Sequence, residues 1–342
     1  MNALNRRWLL AGTNPGDGVA GISLSRDQFV ADEAPVPEPA DGELLIRSYY
    51  FSPDPMNHAW VRGVPGRFEP ILPGQPLRGG IAGRVVASRH PNFAEGDAVC
   101  GFLEWSDYNL STGRDLMDAP LQIIPADIPL ASGLSALGMT GVCAYLSLVE
   151  FAVPTPGDLV MISGASGAIG SMAGQIAALY GARTVGLARG DAKCAFVDEL
   201  GFNRVVDISA EGWESRLAEV STSGINVFID NVGGAVLDEV LLHMAQGGRI
   251  VICGATAHYE QGVSISNHLL LAIRGCTMSG FFYFDYEHRW SDARGRLAQW
   301  LREGKIRDPL DISYGFDQVP DAALGQFTGA NFGRKLVQIA DE

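Results

Sequence analysis

The sequence predicts an α/β protein in which a doubly wound parallel sheet is joined to a second, mainly β domain. Three observations carry that reading. Between about residues 131 and 307, short β-prone runs alternate with helical patterns, as expected of a parallel sheet covered on both faces. One strand-to-helix junction there is rich in glycine: Gly164-Ala165-Ser166-Gly167-Ala168-Ile169-Gly170. Residues 1–130 instead carry Pro, Gly and short β-prone runs without a long helical pattern, and residues 308–342 return to that texture.

In chain order, Gly42–Tyr50 reads as a strand after an Asp-Gly turn. Ile81–Ala87 and Ala98–Phe102 read as two more, the second following Glu95-Gly96-Asp97. Leu134–Val149 is a helix candidate free of proline. Strands are then expected at Asp158–Ser163, Arg183–Ala188, Val205–Ile208, Asn226–Asp230 and Arg249–Cys253. Helices are expected at Ala168–Tyr180, Ala192–Leu200, Trp213–Val220 and Ala235–Met244. Ala293–Glu303 has helical spacing, with Leu297, Trp300 and Leu301 on one side. The closing segment, ending in Lys335-Leu336-Val337-Gln338-Ile339, is expected to rejoin the first domain as loop and strand.

Composition bounds the partners. The 342 residues are 47% hydrophobic and 19% charged, which suits two globular domains. The net charge of −14 argues against tracking a nucleic-acid backbone or an anionic membrane surface. It leaves room for a small anion in a locally basic pocket. Cys100, Cys143, Cys194, Cys253 and Cys276 form no CxxC pair, and the six histidines form no HxxxH pair, so no metal site is expected. Scattered thiols suit a reducing, cytoplasmic setting. The apolar run after Arg6 and Arg7 stops at Gly12, too early for a secretory leader. Leu159–Ala182 carries no formal charge and contains a GxxxG, so a membrane span is a rival reading. Ser163, Gly164, Ser166 and Gly167 break that run near its start and favour a buried strand, turn and helix.

The glycine turn is a GxxGxxG variant of the dinucleotide-binding (Rossmann) pattern. Its physics is a tight turn, close approach of main chain to a pyrophosphate, and helix N–H groups aimed at the anion. Sites for NAD place an acid at the end of the next strand, where it holds the ribose 2′-hydroxyl. Here that strand ends Leu187-Ala188-Arg189-Gly190-Asp191-Ala192-Lys193, with Arg189 and Lys193 on either side of Gly190. Cations there match a 2′-phosphate, so NADPH is expected over NADH.

Several segments together resemble the zinc-independent branch of the medium-chain dehydrogenase/reductase superfamily. They include Asn5-Arg6-Arg7-Trp8, Ser52-Pro53-Asp54-Pro55, Gly138-Met139-Thr140-Gly141, the stretch Gly164 to Gln175, and Lys193-Cys194. Asp230-Asn231-Val232-Gly233-Gly234, Cys253-Gly254 with Tyr259, Phe284-Asp285-Tyr286 and Asn331-Phe332-Gly333 complete the set. Within that branch the chain is most similar to NADP-dependent alkenal/enone reductases: prostaglandin reductases, plant double-bond reductases and bacterial curcumin reductases. The resemblance implies a GroES-like substrate domain built from both chain ends around a Rossmann domain, and a homodimer. It also implies hydride transfer from NADPH to the β-carbon of an α,β-unsaturated carbonyl compound.

By matching position, Lys193 would bind the 2′-phosphate, and Asn331 would contact the cofactor near its nicotinamide end. Asn231 and Phe281 would line that end, and Cys253 is a further expected cofactor contact. Tyr259 would sit near the nicotinamide ribose and the substrate oxygen as the catalytic donor to a developing enolate. Gly164, Gly167, Ala168, Ile169, Gly170 and Arg189 complete the expected cofactor contacts. Met56, His58 and Tyr283 are the expected substrate-pocket residues. Met56-Asn57-His58 stands where the family usually shows Tyr-Met-Arg, which removes a phenol donor and leaves His58 as a substitute or a packed side chain. Ile208 stands where many relatives carry a tyrosine near the 2′-phosphate, and Arg189 can compensate in charge. The run Phe281-Phe282-Tyr283-Phe284 with Tyr286 reads either as the wall of an apolar cleft or as sheet packing. A quinone reductase and a catalytically silent NADPH-binding protein are the alternative functions.

Overall fold

A computed structural model describes residues 4–12, 24–64, 66–67, 69–256 and 264–342. The chain divides into two units: residues 1–134 with 310–331 and 335–342, and residues 135–309 with 332–334.

In the first unit β1 (Leu4–Leu10) pairs antiparallel with β2 (Phe29–Pro35). Its charges are neutralised sideways, Arg6 on Asp107 at 2.8 Å and Arg7 on Asp32 at 2.6 Å. β3 (Leu44–Ser52) follows Gly42, whose φ of 84° suits the tight turn before it. A short α1 (Met56–Arg62) precedes β4 (Arg78–Ser88), β5 (Ala98–Glu104), β6 (Tyr108–Ser111) and β7 (Gln122–Ile123). β3, β4 and β5 run antiparallel, with Phe51 opposite Ile81 and Ala82 opposite Cys100. Phe51 is fully buried and stacks on Trp105 with ring centres 6.2 Å apart.

The second unit opens with α2 (Met139–Leu146), prolonged by one π-helical turn over Ser147–Ala152. The expected helix from Leu134 is therefore shorter. The Ser135 carbonyl accepts from the Gly138 and Gly141 amides, both at 3.1 Å, which holds the preceding segment in a turn. Strand and helix then alternate: β8 (Leu159–Ser163), α3 (Ala168–Leu179), β9 (Arg183–Ala188), α4 (Asp191–Glu199), β10 (Arg204–Asp207) and α5 (Trp213–Val220). They continue as β11 (Ile225–Asp230), α6 (Gly234–Leu241), β12 (Met244–Ile252), α7 (Leu269–Ile273), β13 (Thr277–Gly280) and α8 (Glu287–Arg302).

The sheet order is β10-β9-β8-β11-β12-β13, with every pairing parallel. This is the doubly wound Rossmann arrangement. The order reverses between β8 and β11, where such sheets open a crevice beyond their carboxyl ends. Leu159, Met161, Val185, Leu187 and Phe228 fill one face of the sheet against Leu237, Val240 and Leu241 of α6. The uncharged stretch 159–182 is thus β8, a turn and α3. Among the described residues no helix is long and apolar enough to cross a membrane.

The chain returns to the first unit with β14 (Leu310–Tyr314), α9 (Val319–Thr328) and β15 (Arg334–Gln338). They extend its sheet to the order β14-β15-β3-β4-β5-β7, with β6 paired to β3. Phe316 stacks on Trp8 at 5.2 Å and its carbonyl accepts from the Trp8 indole at 3.3 Å. A helix at 319–328 was not expected from the loop-and-strand texture. Pro320 in its first turn and Gly329 at φ 66° behind its last are the terminal signals that explain it.

Candidate active site at the carboxyl edge of the parallel sheet

β8 ends at the buried Ser163, and Gly164 turns the chain at φ 58°, a conformation that a side chain disfavours. Gly167 caps α3 in extended conformation, its amide donating to the Gly164 carbonyl at 2.9 Å. At Gly170 a Cβ would stand 2.3 Å from the Gly164 oxygen and 2.9 Å from the Ala165 Cα, both main-chain atoms. Only hydrogen permits that approach of helix to turn. The amides of Ala168, Ile169 and Gly170 lie in the first turn, where a helix supplies no acceptor and the dipole favours an anion. No acidic side chain occupies that turn.

One strand outward, β9 leads to the exposed Arg189, Gly190 at φ 80°, and Asp191 as the first residue of α4. Lys193 is half-buried, and burial lowers its pKa, with the Arg189 charge adding to the effect. Among the described residues neither cation forms an ion pair. Two such cations close together are a poor arrangement for the protein alone and a good one for a dianion. A carboxylate does approach the turn, from the end of β10. Asp207 Oδ1 accepts from the Gly190 amide at 2.9 Å, the Ser209 amide at 2.8 Å and Ser209 Oγ at 2.6 Å. The Ser209 hydroxyl, followed by the Gly190 and Ser209 amides, holds its carboxyl below the usual range. Ile208 beside it is buried.

The crevice between β8 and β11 is tied by a polar clamp. Asp230 is fully buried, and its Oδ1 accepts from Ser163 Oγ at 2.7 Å and from the Val232 and Gly233 amides at 3.0 Å. Ser163 Oγ accepts from the Asn231 amide at 2.8 Å, and Asn231 Nδ2 donates to the Ser163 carbonyl at 2.8 Å. Asn231 Oδ1 is then a buried acceptor with no hydrogen-bond partner among the described residues. A buried acceptor left open in this way fits an external N–H donor. The Cys253 and Gly254 amides donate to the Asp230 carbonyl at 2.8 and 3.2 Å, which brings the end of β12 onto the same clamp. Burial pushes the Cys253 thiol up to about 12, with the Asp230 charge adding and a hydrogen bond with Ser147 opposing. Phe281 stacks on Phe151 with centres 4.8 Å apart.

The turn residues Gly164, Gly167, Ala168, Ile169 and Gly170, the pair Arg189 and Lys193, and Asn231 with Cys253 therefore gather at the carboxyl ends of adjacent strands. Tyr283 does not join them. It is buried in a 3₁₀ turn, stacked on Trp290 at 4.2 Å, and its hydroxyl accepts from Arg294 at 2.9 Å. Its ring and hydroxyl are thus held by Trp290 and Arg294 of α8. The aromatic run also lies beyond the end of β13, not within a strand. Met56 opens α1 in the first unit, its amide on Asp54 at 2.9 Å. Asn331 is the last first-unit residue before the excursion of 332–334. Tyr259 and the side chain of His58 lie outside the described residues.

Sequence reasoning missed Ser163, Asp230 and Ser147. A signal existed for Asp230: a carboxylate ends the otherwise apolar run Val227-Phe228-Ile229 of a strand buried on both faces. Among the described residues no three His, Cys, Asp or Glu side chains gather as a metal would require.

The turn, the two cations and the carboxamide oxygen without a partner among the described residues fit a dinucleotide carrying a 2′-phosphate. Residues 7–119 match the family described as the N-terminal domain of oxidoreductase, and residues 168–299 the family described as zinc-binding dehydrogenase. The chain is 32% identical to the NADPH-dependent curcumin reductase of Escherichia coli (strain K12), over 99% of this chain and 98% of that protein. It is 31% identical to the 2-alkenal reductase (NADP(+)-dependent) of Nicotiana tabacum, over 90% of each. The crystal structure of CurA from Vibrio vulnificus in complex with NADPH superposes with a TM-score of 0.87 at 32% identity, covering 98% of this chain and 100% of that one. The chain belongs to the zinc-independent medium-chain dehydrogenase/reductases, in the branch of NADP-dependent alkenal and enone reductases.

Proposed function

We propose that this chain uses NADPH to reduce the C=C bond of α,β-unsaturated carbonyl compounds. The observation that carries the reading is the pair Arg189 and Lys193 at the end of β9, in no ion pair among the described residues, beside a glycine turn that can take a pyrophosphate. NADPH, when bound, supplies the hydride that reaches the β-carbon, while a proton completes the α-carbon and the carbonyl is regenerated. In this reading the α3 amides hold the pyrophosphate, and Arg189 and Lys193 hold the 2′-phosphate. Asn231 and Phe281 line the nicotinamide end, with Asn331 contacting the cofactor there, and Cys253 is a further cofactor contact. Negative charge gathers on the carbonyl oxygen as hydride arrives, and a phenol such as Tyr259 is a suitable donor to it. By the resemblance, Met56 and His58 are the candidate substrate contacts, and a Met at that position offers apolar contact only.

The cytoplasm and a homodimer belong to the same proposal. The five cysteines are free, as suits a reducing compartment. β13 ends the parallel sheet with an open edge, and α7 before it exposes Leu269 and Ile273 at 66% and 64%.

The test is dihydronicotinamide oxidation with cinnamaldehyde-like enals, alkyl enones and quinones, each with NADPH and NADH. Turnover of enals and enones with NADPH is expected, and a saturated carbonyl as product. The double variant Arg189→Ala, Lys193→Ala is expected to lose the NADPH preference, and Tyr259→Phe to lower kcat. Turnover restricted to quinones, or an unchanged NADPH/NADH ratio in the double variant, contradicts the proposal.

A further inference from the structure

Three residues near the carboxyl end of the chain, 332–334, leave the first unit and pack in the second. Gly333 forms a parallel bridge with Gly167, and its amide donates to the Ser166 carbonyl at 2.8 Å. Gly333 has φ 62°, and a Cβ there would stand 2.1 Å from the Pro309 oxygen, so the main chain is pressed tightly into place. The Arg334 amide donates to that same oxygen at 2.9 Å. The ring of Phe332 is thereby delivered to α4. It meets Phe196 edge to face with centres 5.4 Å apart, and the Lys193 ammonium lies 5.9 Å from its centre. Lys193 and Phe196 are three residues apart on α4 and share a face.

The consequence is that one dipeptide touches both halves of the anion site. Gly333 is bonded to the glycine turn, and Phe332 lies against the lysine that flanks the end of β9. A long ammonium side chain has many rotamers, and ordering it costs conformational entropy at binding. A ring face within about 6 Å attracts the ammonium and restricts where it goes.

We propose that Phe332 is a positioning residue for cofactor selectivity: its ring holds the Lys193 ammonium in register with the Gly164–Gly170 turn, so that a 2′-phosphate and a pyrophosphate are met together. This rests on the reading of Lys193 as the 2′-phosphate ligand. Neither the chemistry of hydride transfer nor the pyrophosphate contacts require the ring itself. Its effect therefore belongs to the difference between NADPH and NADH.

Equilibrium binding tests it, using NADPH, NADH and 2′,5′-ADP on the full chain without substrate. Phe332→Leu keeps the apolar contact with Phe196 and removes the ring face. It is expected to weaken NADPH and 2′,5′-ADP by about two- to fivefold and to leave NADH unchanged. Phe332→Tyr is expected to restore the ratio. In a Lys193→Ala background Phe332→Leu should change the NADPH/NADH ratio no further, because the two residues act as one unit. Equal weakening of NADPH and NADH marks a merely structural role and overturns the inference. So does an unchanged ratio, or a ratio change that persists without Lys193. If Arg189→Ala, Lys193→Ala itself keeps the NADPH preference, the phosphate reading fails and the inference with it. Loss of preference there beside an unchanged ratio in Phe332→Leu overturns the inference alone.

Discussion

Ser163→Ala removes one oxygen from the clamp between β8 and β11. That oxygen donates to Asp230 Oδ1 at 2.7 Å and accepts from the Asn231 amide at 2.8 Å. Ser163 and Asp230 are both fully buried, so water cannot take the vacated place without opening the sheet. A bond to a carboxylate contributes about 1.5–3 kcal/mol and an ordinary amide bond about 0.5–1.5 kcal/mol, so a loss of about 2–4 kcal/mol is expected. In a unit of this size that is a fall in melting temperature of roughly 4–16 °C. Asn231 keeps its side-chain bond to the Ser163 carbonyl but loses its amide anchor. Binding of NADPH should therefore weaken, while binding of 2′,5′-ADP, which reaches only the adenosine half, should hold. Thermal and urea unfolding measure the first effect, and fluorescence titration with both ligands the second. A stability change below about 0.5 kcal/mol would refute the claim that this hydroxyl is a joint of the sheet. Equal weakening of both ligands would refute the claim that the clamp serves the nicotinamide end.

Further outcomes follow from single contacts. Gly170→Ala would force a Cβ to within 2.3 Å of the Gly164 carbonyl, so the turn must open; NADPH titration should show a loss of about tenfold or more, with NADH equally affected. Cys253 should resist N-ethylmaleimide in peptide mapping at pH 8, because a thiol held at about 12 is ionised there in only about one molecule in ten thousand. The sign for stability is that of a raised pKa. The Cys253 contribution is complete below the ordinary thiol range and is lost as pH climbs from there toward 12, so unfolding midpoints of Cys253→Ser should converge on the parent at high pH. Val153 ends the π turn in left-handed conformation at φ 41° and is 55% exposed, a strained place for a β-branched residue. Val153→Asn should raise stability by about 1 kcal/mol in a denaturant titration.

The parallel sheet was readable because its inner strands β8, β9 and β11 are apolar runs bounded by turn residues. β9 is where it was expected, and β8, β10 and β11 lie within a residue of the expected bounds. β1 was not readable. Arg6 and Arg7 interrupt its alternation, and only pairing with Asp107 and Asp32, distant in sequence, makes those charges tolerable in a strand. α1 has seven residues, too few for a periodic pattern, and begins directly after Pro55. β13 is four residues long and has no buried position, so hydrophobicity could not mark it.

The same division runs through the site. Glycine at 164 and 170 is demanded by main-chain geometry, so the requirement is written in the residue type itself. The clamp of Ser163, Asp230 and Asn231 uses residues that are common on any surface, and only the alignment of two strand ends gives them their partners. The surroundings of Tyr283 were unreadable for the complementary reason: an aromatic beside a site is equally good at packing, and its partners Trp290 and Arg294 come from a helix later in the chain.

The charge of the whole chain and the charge of the site point in opposite directions, and distance reconciles them. The 39 acidic residues against 25 basic ones set the net charge of −14, but at physiological ionic strength a charge is screened beyond about 8 Å. A long polyanion samples the whole surface and meets that net charge, whereas a 2′-phosphate is governed by the few groups within a screening length. There two cations stand beside the glycine turn. Among the described residues Arg189 and Lys193 form no ion pair, and Asp207, on the adjoining turn, has its Oδ1 saturated by Gly190 and Ser209. Its hydrogen bonds anchor the turn that presents Arg189, so this acid helps to shape the site. An oxygen that held a ribose would need to be free to accept from the sugar; Asp207 Oδ1 is already taken by the Gly190 and Ser209 amides and the Ser209 hydroxyl.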